Sequence, residues 1–513
     1  METLDAMLRR NLETVPDRTF LIAGDLHLTY AAFADQVARM AAVLAERGIG
    51  RGDRVGLYLP STPVMAVAFW ACQRLGAVPA PLSAMLRHAE IGRILHGADL
   101  SALIADTGTW AYLAQGAAML PPLCLVAGGA APGAIDLDTA CDTAAPLLTQ
   151  APVRLADTAA LFFSSGTTGT PKAIAQSHFA LCSSWRDMMV AHGARHGEAV
   201  YLCAVPLFTN FGLNVHLNLC LYAGGTLVLH DRWDTEAVLL SMSRHQVTHF
   251  GGTPTMYVYI VGGYDTARHD LRSLKVCTTG GAPVPQPVIQ SFESMSGVRV
   301  SQVYGATEVC GQAVMEPHFG PRKPGSAGLP VGSSRVVILG EDGQPLPMGE
   351  VGEVVIGGDC LSSGYAGNPQ ATAETFGPLG WLSGDLGRLD EDGFLFIMDR
   401  KKDVIFAGGH NVYPLEVEST LYRHPAVAVC AVVGEPDAVK GEVPVAVVVR
   451  APGSTVTAED LRLWCRESLA AYKAPRRVEF IDEMPVEAAK IRKRALVEAL
   501  RDGTMDQFRS RLS

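Results

Sequence analysis

Phe162-Phe163-Ser164-Ser165-Gly166-Thr167-Thr168-Gly169-Thr170-Pro171-Lys172-Ala173 is an apolar, strand-like run that breaks into hydroxyls, glycines and a lysine. That composition suits a loop that cradles phosphate. Glycines let the backbone approach an anion and turn N–H groups toward it, while Ser and Thr hydroxyls and the Lys ammonium add donors and charge. A Walker A loop ends in Gly-Lys-Ser/Thr, whereas here Pro171 separates glycine from lysine. Composition alone would equally describe a polar surface loop, so the order of the residues carries the more specific reading.

Outward from this loop, a chain of 513 residues exceeds what one hydrophobic core usually supports, and at least two domains are expected. The 48% hydrophobic and 18% charged content belongs to a globular protein with a large interior and excludes a disordered one. A net charge of -10 gives no general attraction to nucleic acid or an anionic membrane, so an anionic ligand must be held by local groups. The eleven cysteines form no Cys-x-x-Cys pair, and most sit in apolar runs such as Leu202-Cys203-Ala204-Val205, which implies a reducing compartment. Met1-Glu2-Thr3-Leu4-Asp5 lacks the basic-then-apolar order of a signal peptide, and the apolar stretch from Val64 to Trp70 meets Gln73 and Arg74 too early to span a bilayer. A cytoplasmic protein without a membrane span is expected.

Upstream of the loop, apolar residues at Phe33, Val37, Ala41, Val43 and Leu44 recur with helical spacing until Gly48, Gly50 and Gly52. Asp53 to Pro60 reads as a buried strand, Pro63 to Leu75 as a helix, and Val78-Pro79-Ala80-Pro81 as a second strand. Strand, helix, strand is the βαβ rhythm of a mostly parallel sheet covered by helices, hence an α/β fold. The segment from Ala127 to Pro152, rich in Ala, Gly and Pro, reads as a connector.

Downstream, Ala204-Val205-Pro206-Leu207-Phe208-Thr209-Asn210-Phe211-Gly212 leads into an apolar helix and then the strand Thr226 to Leu229. His249-Phe250-Gly251-Gly252-Thr253-Pro254 and Val276-Cys277-Thr278-Thr279-Gly280-Gly281-Ala282-Pro283 are strand ends with glycine turns. Gln302-Val303-Tyr304-Gly305-Ala306-Thr307-Glu308 offers a flat aromatic face and a carboxylate. Gly364-Tyr365-Ala366-Gly367-Asn368-Pro369 and Trp381-Leu382-Ser383-Gly384-Asp385-Leu386-Gly387 follow, the second placing Asp385 where two hydroxyls could be accepted at once. Asp399-Arg400-Lys401-Lys402-Asp403 is a polar joint between apolar runs and a plausible domain boundary. Beyond it the pattern reads as a compact α+β unit: helix Pro414 to Tyr422, strands Val427 to Val433 and Val443 to Val449, helix Ala458 to Leu469. On composition Lys490 is one of several solvated cations near the end of the chain.

Taken in order, these stretches resemble the motifs of the adenylate-forming superfamily (acyl-CoA synthetases, carrier-loading adenylation domains and firefly-type luciferases), closest in character to bacterial acyl-CoA ligases. The resemblance runs from about Leu28 to Lys493. It implies a large N-terminal AMP-binding domain over 1–399, a hinge over 400–402 pivoting at Lys402, and a small mobile α+β lid domain over 403–513. Nucleotide contacts are implied at Ser164, Ser165, Gly166, Thr167, Thr168, Gly169, Lys172, Gly281, Ala282, Pro283, Tyr304, Gly305, Thr307, Asp385 and Arg400. Glu308 would be the Mg2+ ligand, Thr168 would help hold pyrophosphate, and Lys490 would be the catalytic cation of the first step. Thr209, Asn210, Phe211, Gly251, Gly252, Gly281, Val303, Gly305 and Val309 would surround the acyl group, and Gly408 and Gly409 would line the CoA tunnel.

The implied activity joins a carboxylic acid to CoA at the expense of ATP, through acyl-AMP. Alternatives are an adenylating enzyme that loads a carrier protein, a nucleotide-binding protein that has lost catalysis, and formally a luciferase-like oxygenase. The chain departs from the family at Ala173 and Ala489, where glycines are usual, and at Thr209, where a larger ring is common. An alanine is harmless at those loop positions if φ is negative and costs about 1 kcal/mol if it is positive. The acyl residues are mostly small or apolar, with no Arg or Lys, so an apolar monocarboxylate is expected, aromatic or medium-chain, with glycines leaving room for it. Asn210 offers the alternative of recognising a hydroxyl or carbonyl on the acid.

Overall fold

The computed structural model describes residues 2–113, 120–164, 172–281, 286–487 and 490–509, with the backbone alone at 88, 89, 164, 487 and 490. The first helices follow from their end signals. Tyr30–Ala45 is capped by the Thr29 side chain, which accepts from the Ala32 N–H, and Pro63–Leu75 opens on proline and stops at Gly76 with φ 64°. The strand between them, Arg54–Tyr58, joins a five-stranded parallel sheet with Val78–Pro81, Ala102–Asp106, Leu123–Ala127 and Ile135–Asp136.

A second, nine-stranded sheet runs Leu329–Pro330, Gly311–Met315, Val300–Ala306, Val276–Gly280, His249–Gly252, Val200–Cys203, Thr226–Leu229, Thr19–Ala23, Leu26–Thr29. Its interior pairs are parallel, and antiparallel strands close both edges. One face packs through Leu202, Phe250, Cys277 and Val300 onto the helices Thr235–Arg244, Pro254–Gly263 and Gln286–Ser296. The other shares one core with the first sheet, a single cluster that includes Leu181, Trp185 and Met188 of the helix His178–Ala191, Tyr201 and Cys203 of the nine-stranded sheet, and Leu57 and Ile104 of the first sheet. A mostly parallel sheet covered on both faces is the α/β fold that the sequence rhythm implies.

A third sheet is built from Arg335–Leu339, Gly352–Gly357, Phe376–Gly377, Gly380–Leu389 and Leu395–Arg400. The fourth comprises Ile405–Ala407, His410–Val412, Val427–Asp437, Gly441–Arg450 and Arg477–Phe480, covered by the helices Pro414–Tyr422 and Ala458–Ser468. All eleven cysteines are free. No helix among the described residues is long and apolar enough to cross a membrane.

Two local expectations are corrected. The stretch read as a connector contains the strand Ile135–Asp136 and the helix Leu137–Thr143, because the Asp136 carboxylate accepts the Thr139 N–H and Leu137 is fully buried. The apolar helix after Asn210 is π-helical over Phe211–Asn218 before four α-helical residues, Leu219–Tyr222.

Candidate active site

The loop that opens the sequence sits between two paired strands. Thr158–Ser164 runs antiparallel to Lys172–Ser177, with Ser164 opposite Lys172 and Phe163 opposite Ala173. Ser165, Gly166, Thr167, Thr168 and Gly169 lie outside the described residues, as do Ala282, Pro283 and Ala489. Ala173 is ordinary strand and absent from the positive-φ residues, so this departure from glycine carries no backbone cost.

At the base of that hairpin the Lys172 ammonium lies 4.7 Å from the centre of the Tyr365 ring. The Tyr365 hydroxyl in turn donates to Glu308 Oε1 at 3.1 Å. Glu308 stands on the short turn Thr307–Val309 after the strand Val300–Ala306, and burial pushes its carboxyl above the usual carboxylate range. A cation, an aromatic ring and a carboxylate are thus joined at the end of a parallel strand.

A second group comes from sheet register. Antiparallel pairing sets Arg400 opposite Asp385, and the Arg400 Nε lies 3.0 Å from Asp385 Oδ1. Tyr304 donates to the other oxygen, Oδ2, at 2.6 Å. Asp385 is thus nearly buried between a phenol and a guanidinium. Three residues expected at the nucleotide, Tyr304, Asp385 and Arg400, thereby come from segments up to 96 positions apart yet are joined by two connected contacts. Gly281, with φ 86°, has open space around it.

The acyl residues fare less uniformly. A Cβ on Gly251 would lie 2.7 Å from His216 Nε2, and one on Gly252 would lie 2.9 Å from the Phe250 ring, so neighbouring rings take the room that the glycines were expected to leave. A Cβ on Gly305 would fall 1.9 Å from the Gly311 carbonyl oxygen; the glycine serves close strand pairing, not pocket volume. Val309 is fully buried in the core of the third sheet with Val354, Ile356 and Trp381. The Thr209 hydroxyl donates to Pro206 O at 2.7 Å and accepts the Gly212 N–H at 3.0 Å, acting as a turn former. Asn210, Phe211 and Val303 remain partly exposed, the Phe211 ring edge-on to His216 at 4.9 Å.

Asn210 is engaged within the protein. Its Oδ1 accepts from Gln176 Nε2 at 2.9 Å and Asn214 Nδ2 at 2.7 Å, while Gln176 also donates to Thr307 O at 2.8 Å. Asn214 continues to Asn218, and Asn218 to the Trp70 indole, at 3.0 and 3.2 Å. This ladder, which sequence reading missed, buttresses the turn carrying Glu308. Its signal was the spacing of Asn210, Asn214 and Asn218 by four.

In the fourth sheet, Gly408 and Gly409 have φ 59° and 82° and form the turn between Ile405–Ala407 and His410–Val412. Two successive positive φ values are those of a type I′ hairpin, so conformation explains both glycines. Lys402 is exposed in the short turn Lys401–Asp403. Lys490 pairs through its backbone with Glu487 in a small hairpin, and its side chain lies outside the described residues.

Comparison with known proteins gives the following. Residues 8–366 match the family model described as AMP-binding enzyme, and residues 416–490 that of the AMP-binding enzyme C-terminal domain. A feruloyl-CoA synthase of Amycolatopsis sp is 38% identical over 481 residues, covering 93% of this chain and 94% of its own. A 2-succinylbenzoate–CoA ligase of Bacillus licheniformis is 33% identical over 489 residues, covering 94% and 97%. Among solved structures, the anthranilate CoA ligase AuaEII in complex with anthranoyl-AMP superposes with a TM-score of 0.91 at 27% identity, over 98% of both chains.

Proposed function

The chain belongs to the AMP-binding enzyme family, and from that premise we infer that it is an ATP-dependent, AMP-forming acyl-CoA ligase acting on a monocarboxylic acid with an apolar, aromatic body. The observation that carries the reading is the Lys172–Tyr365–Glu308 chain at the base of the hydroxyl-rich loop. The aromatic preference is supported by the relatives named for feruloyl, 2-succinylbenzoate and anthranilate substrates.

In the first step an acid oxygen attacks the α-phosphorus of ATP, the α–β anhydride bond breaks, and pyrophosphate leaves. In the second, the CoA sulfur attacks the acyl carbon, the acyl–phosphate bond breaks, and AMP leaves. Both steps gather negative charge on oxygen, which fixed cations and N–H groups stabilise. Lys172 supplies positive charge beside the loop. Asp385, oriented by Tyr304 and Arg400, accepts ribose hydroxyls with the lone pairs its two partners leave over. Lys490 bridges the acid and the α-phosphate in the first step.

The half-buried Glu308 carboxylate is a hard oxygen donor of the kind Mg2+ prefers, and Tyr365 fixes its orientation. When bound there, the metal would neutralise phosphate charge. A boundary at 400–402 with Lys402 as pivot is supported by the change of sheet between Leu395–Arg400 and Ile405–Ala407 and by the two family matches lying on either side. The Gly408-Gly409 hairpin then comes to the CoA tunnel when the lid turns. Burial of every thiol except the partly exposed Cys141 supports a cytoplasmic location.

The test is pyrophosphate release and thioester formation with aromatic acids, ATP and CoA. Lys490→Ala should lower adenylate formation by roughly 100-fold or more while thioester formation from supplied acyl-AMP is largely retained, since the cation acts in one transition state only. Equal loss in both half-reactions would refute the role given to Lys490.

A further inference from the structure

Beneath the acyl residues the nine-stranded sheet carries polar groups that an apolar pocket does not require. His249 and Gly251 stand two apart on one strand, as do Ser301 and Val303 on another, so each pair shares a face. The Tyr201 ring stacks on His249 with centroids 4.6 Å apart, and the ring of His192, at the end of the helix His178–Ala191, lies 6.2 Å from that of His249. His192 Nε2 meets Gln312 Oε1 at 3.2 Å. Gln312 follows Gly311, whose Cα faces Met188 and Val215, and pairs opposite Gly305.

In this group His192 Nδ1, Tyr201 Oη, His249 Nε2, Ser301 Oγ and Gln312 Nε2 have no hydrogen-bond partner among the described residues. All five side chains are more than nine-tenths buried. A buried polar atom left unpaired is costly, so four on one sheet and a fifth on the helix end packed beside them are expensive for a part that serves only folding. The cluster adjoins the acyl residues through the sheet itself: His249 and Ser301 lie two positions along their strands from Gly251 and Val303, and Gln312 pairs opposite Gly305.

We propose that these groups form the floor of the acyl pocket and select an aromatic acid that carries an uncharged, hydrogen-bonding oxygen at the end of the ring remote from its carboxylate. The inference rests on the ligase reading above and narrows its substrate class. From Val303 to Ser301 the strand advances about 6.6 Å, the scale of one ring and its substituent. A hydroxyl both donates and accepts, which suits an imidazole nitrogen on one side and an amide N–H on the other. Burial holds His192 down at about 4 and His249 at about 3, so both rings are neutral near pH 7 and offer no charge to a second carboxylate.

The experiment compares benzoic and cinnamic acids, each unsubstituted, 4-methyl and 4-hydroxy, by kcat/KM for thioester formation. Within a series the 4-hydroxy acid should exceed the 4-methyl acid by roughly 10-fold or more, because a site built to bond a hydroxyl rejects the isostere that lacks it. In Gln312→Leu and Ser301→Ala that ratio should shrink toward one. A ratio taken within a single variant is insensitive to how much of it folds, and the wild-type comparison needs no variant at all. Equal use of 4-methyl and 4-hydroxy acids by the wild type, or a ratio unmoved in both variants, overturns the polar floor while leaving the ligase intact. Absence of pyrophosphate release with any carboxylic acid would instead overturn the ligase reading itself.

Discussion

Tyr365 touches both charged partners of the proposed phosphate site, its hydroxyl on Glu308 and its ring beneath Lys172. Tyr365→Phe keeps the ring and deletes one donor to a carboxylate that burial already pushes upward. Glu308 in the variant should take up its proton at higher pH than in the wild type. If Glu308 holds the metal as proposed, the ionised form is the one that would bind it, so the acidic limb of adenylation should move to higher pH and the Mg2+ requirement should rise, with kcat/KM down about 10-fold. Pyrophosphate release measured against pH and Mg2+ concentration checks this, and an unmoved acidic limb would contradict it. Single residues were legible as neighbours where chemistry and order coincide: Tyr304, Asp385 and Arg400, drawn from separate motifs, meet in the structure. They were not legible where a small residue was taken for empty space. A sequence shows that Gly251 lacks a side chain, but not that His216, thirty-five positions away, fills the gap.

The π-helix Phe211–Asn218 and the Asn ladder inside it govern the element scale. Asn214 is fully buried, donates to Gln176 Oε1 at 2.9 Å and Asn210 Oδ1 at 2.7 Å, and accepts from Asn218. Asn214→Leu keeps the branched shape of the side chain but strands Gln176 Oε1 and Asn218 Nδ2, so a loss of about 3 kcal/mol or more in urea unfolding is expected. A loss below about 1 kcal/mol would mean that the ladder is not holding the segment. Elements announced themselves where punctuation was strong: Pro63–Leu75 and Pro414–Tyr422 both begin on proline, and their predicted ends agree with the structure. The π geometry gave no such sign, because an apolar run of this length reads as α-helix whichever hydrogen bonds it adopts. The strands Val427–Asp437 and Gly441–Arg450 outrun their apolar cores for a related reason, as their polar ends pair with each other beyond the buried part.

At the scale of the whole molecule, the joint near residue 400 is held by a buried charge cluster. Asp399 accepts the Arg400 and Leu415 N–H groups at 2.7 Å each, and Lys493 pairs with Glu418 at 2.8 Å while facing Asp399 and Asp403. Burial raises the Asp399 carboxyl to about 6, against the opposing pull of Lys493 and the two N–H groups and with help from Glu418. Between the ordinary carboxylate range and about 6 the folded chain keeps a proton that the unfolded chain has released. Stability from this group is therefore present at low pH and lost as pH rises through that window. Asp399→Asn cannot titrate, so wild-type stability relative to this variant should fall between pH 4 and pH 7 by on the order of 3 kcal/mol. Urea midpoints across that range check the sign, and a constant difference would refute it. The charged joint was visible as Asp399 to Asp403, but its partner Lys493 was not, because only folding brings the last helix back to it.

The burial of the thiols has a practical corollary. Maleimide dyes react with thiolates, and burial pushes even the partly exposed Cys141 up to about 11. The native chain is therefore a nearly silent background for site-directed labelling. Cysteines introduced at the exposed positions Glu341 and Val439, one on each side of residue 402, would accept a dye pair without removal of a single natural cysteine. Energy transfer between the dyes would turn the proposed swing of the lid into a distance that can be followed one molecule at a time.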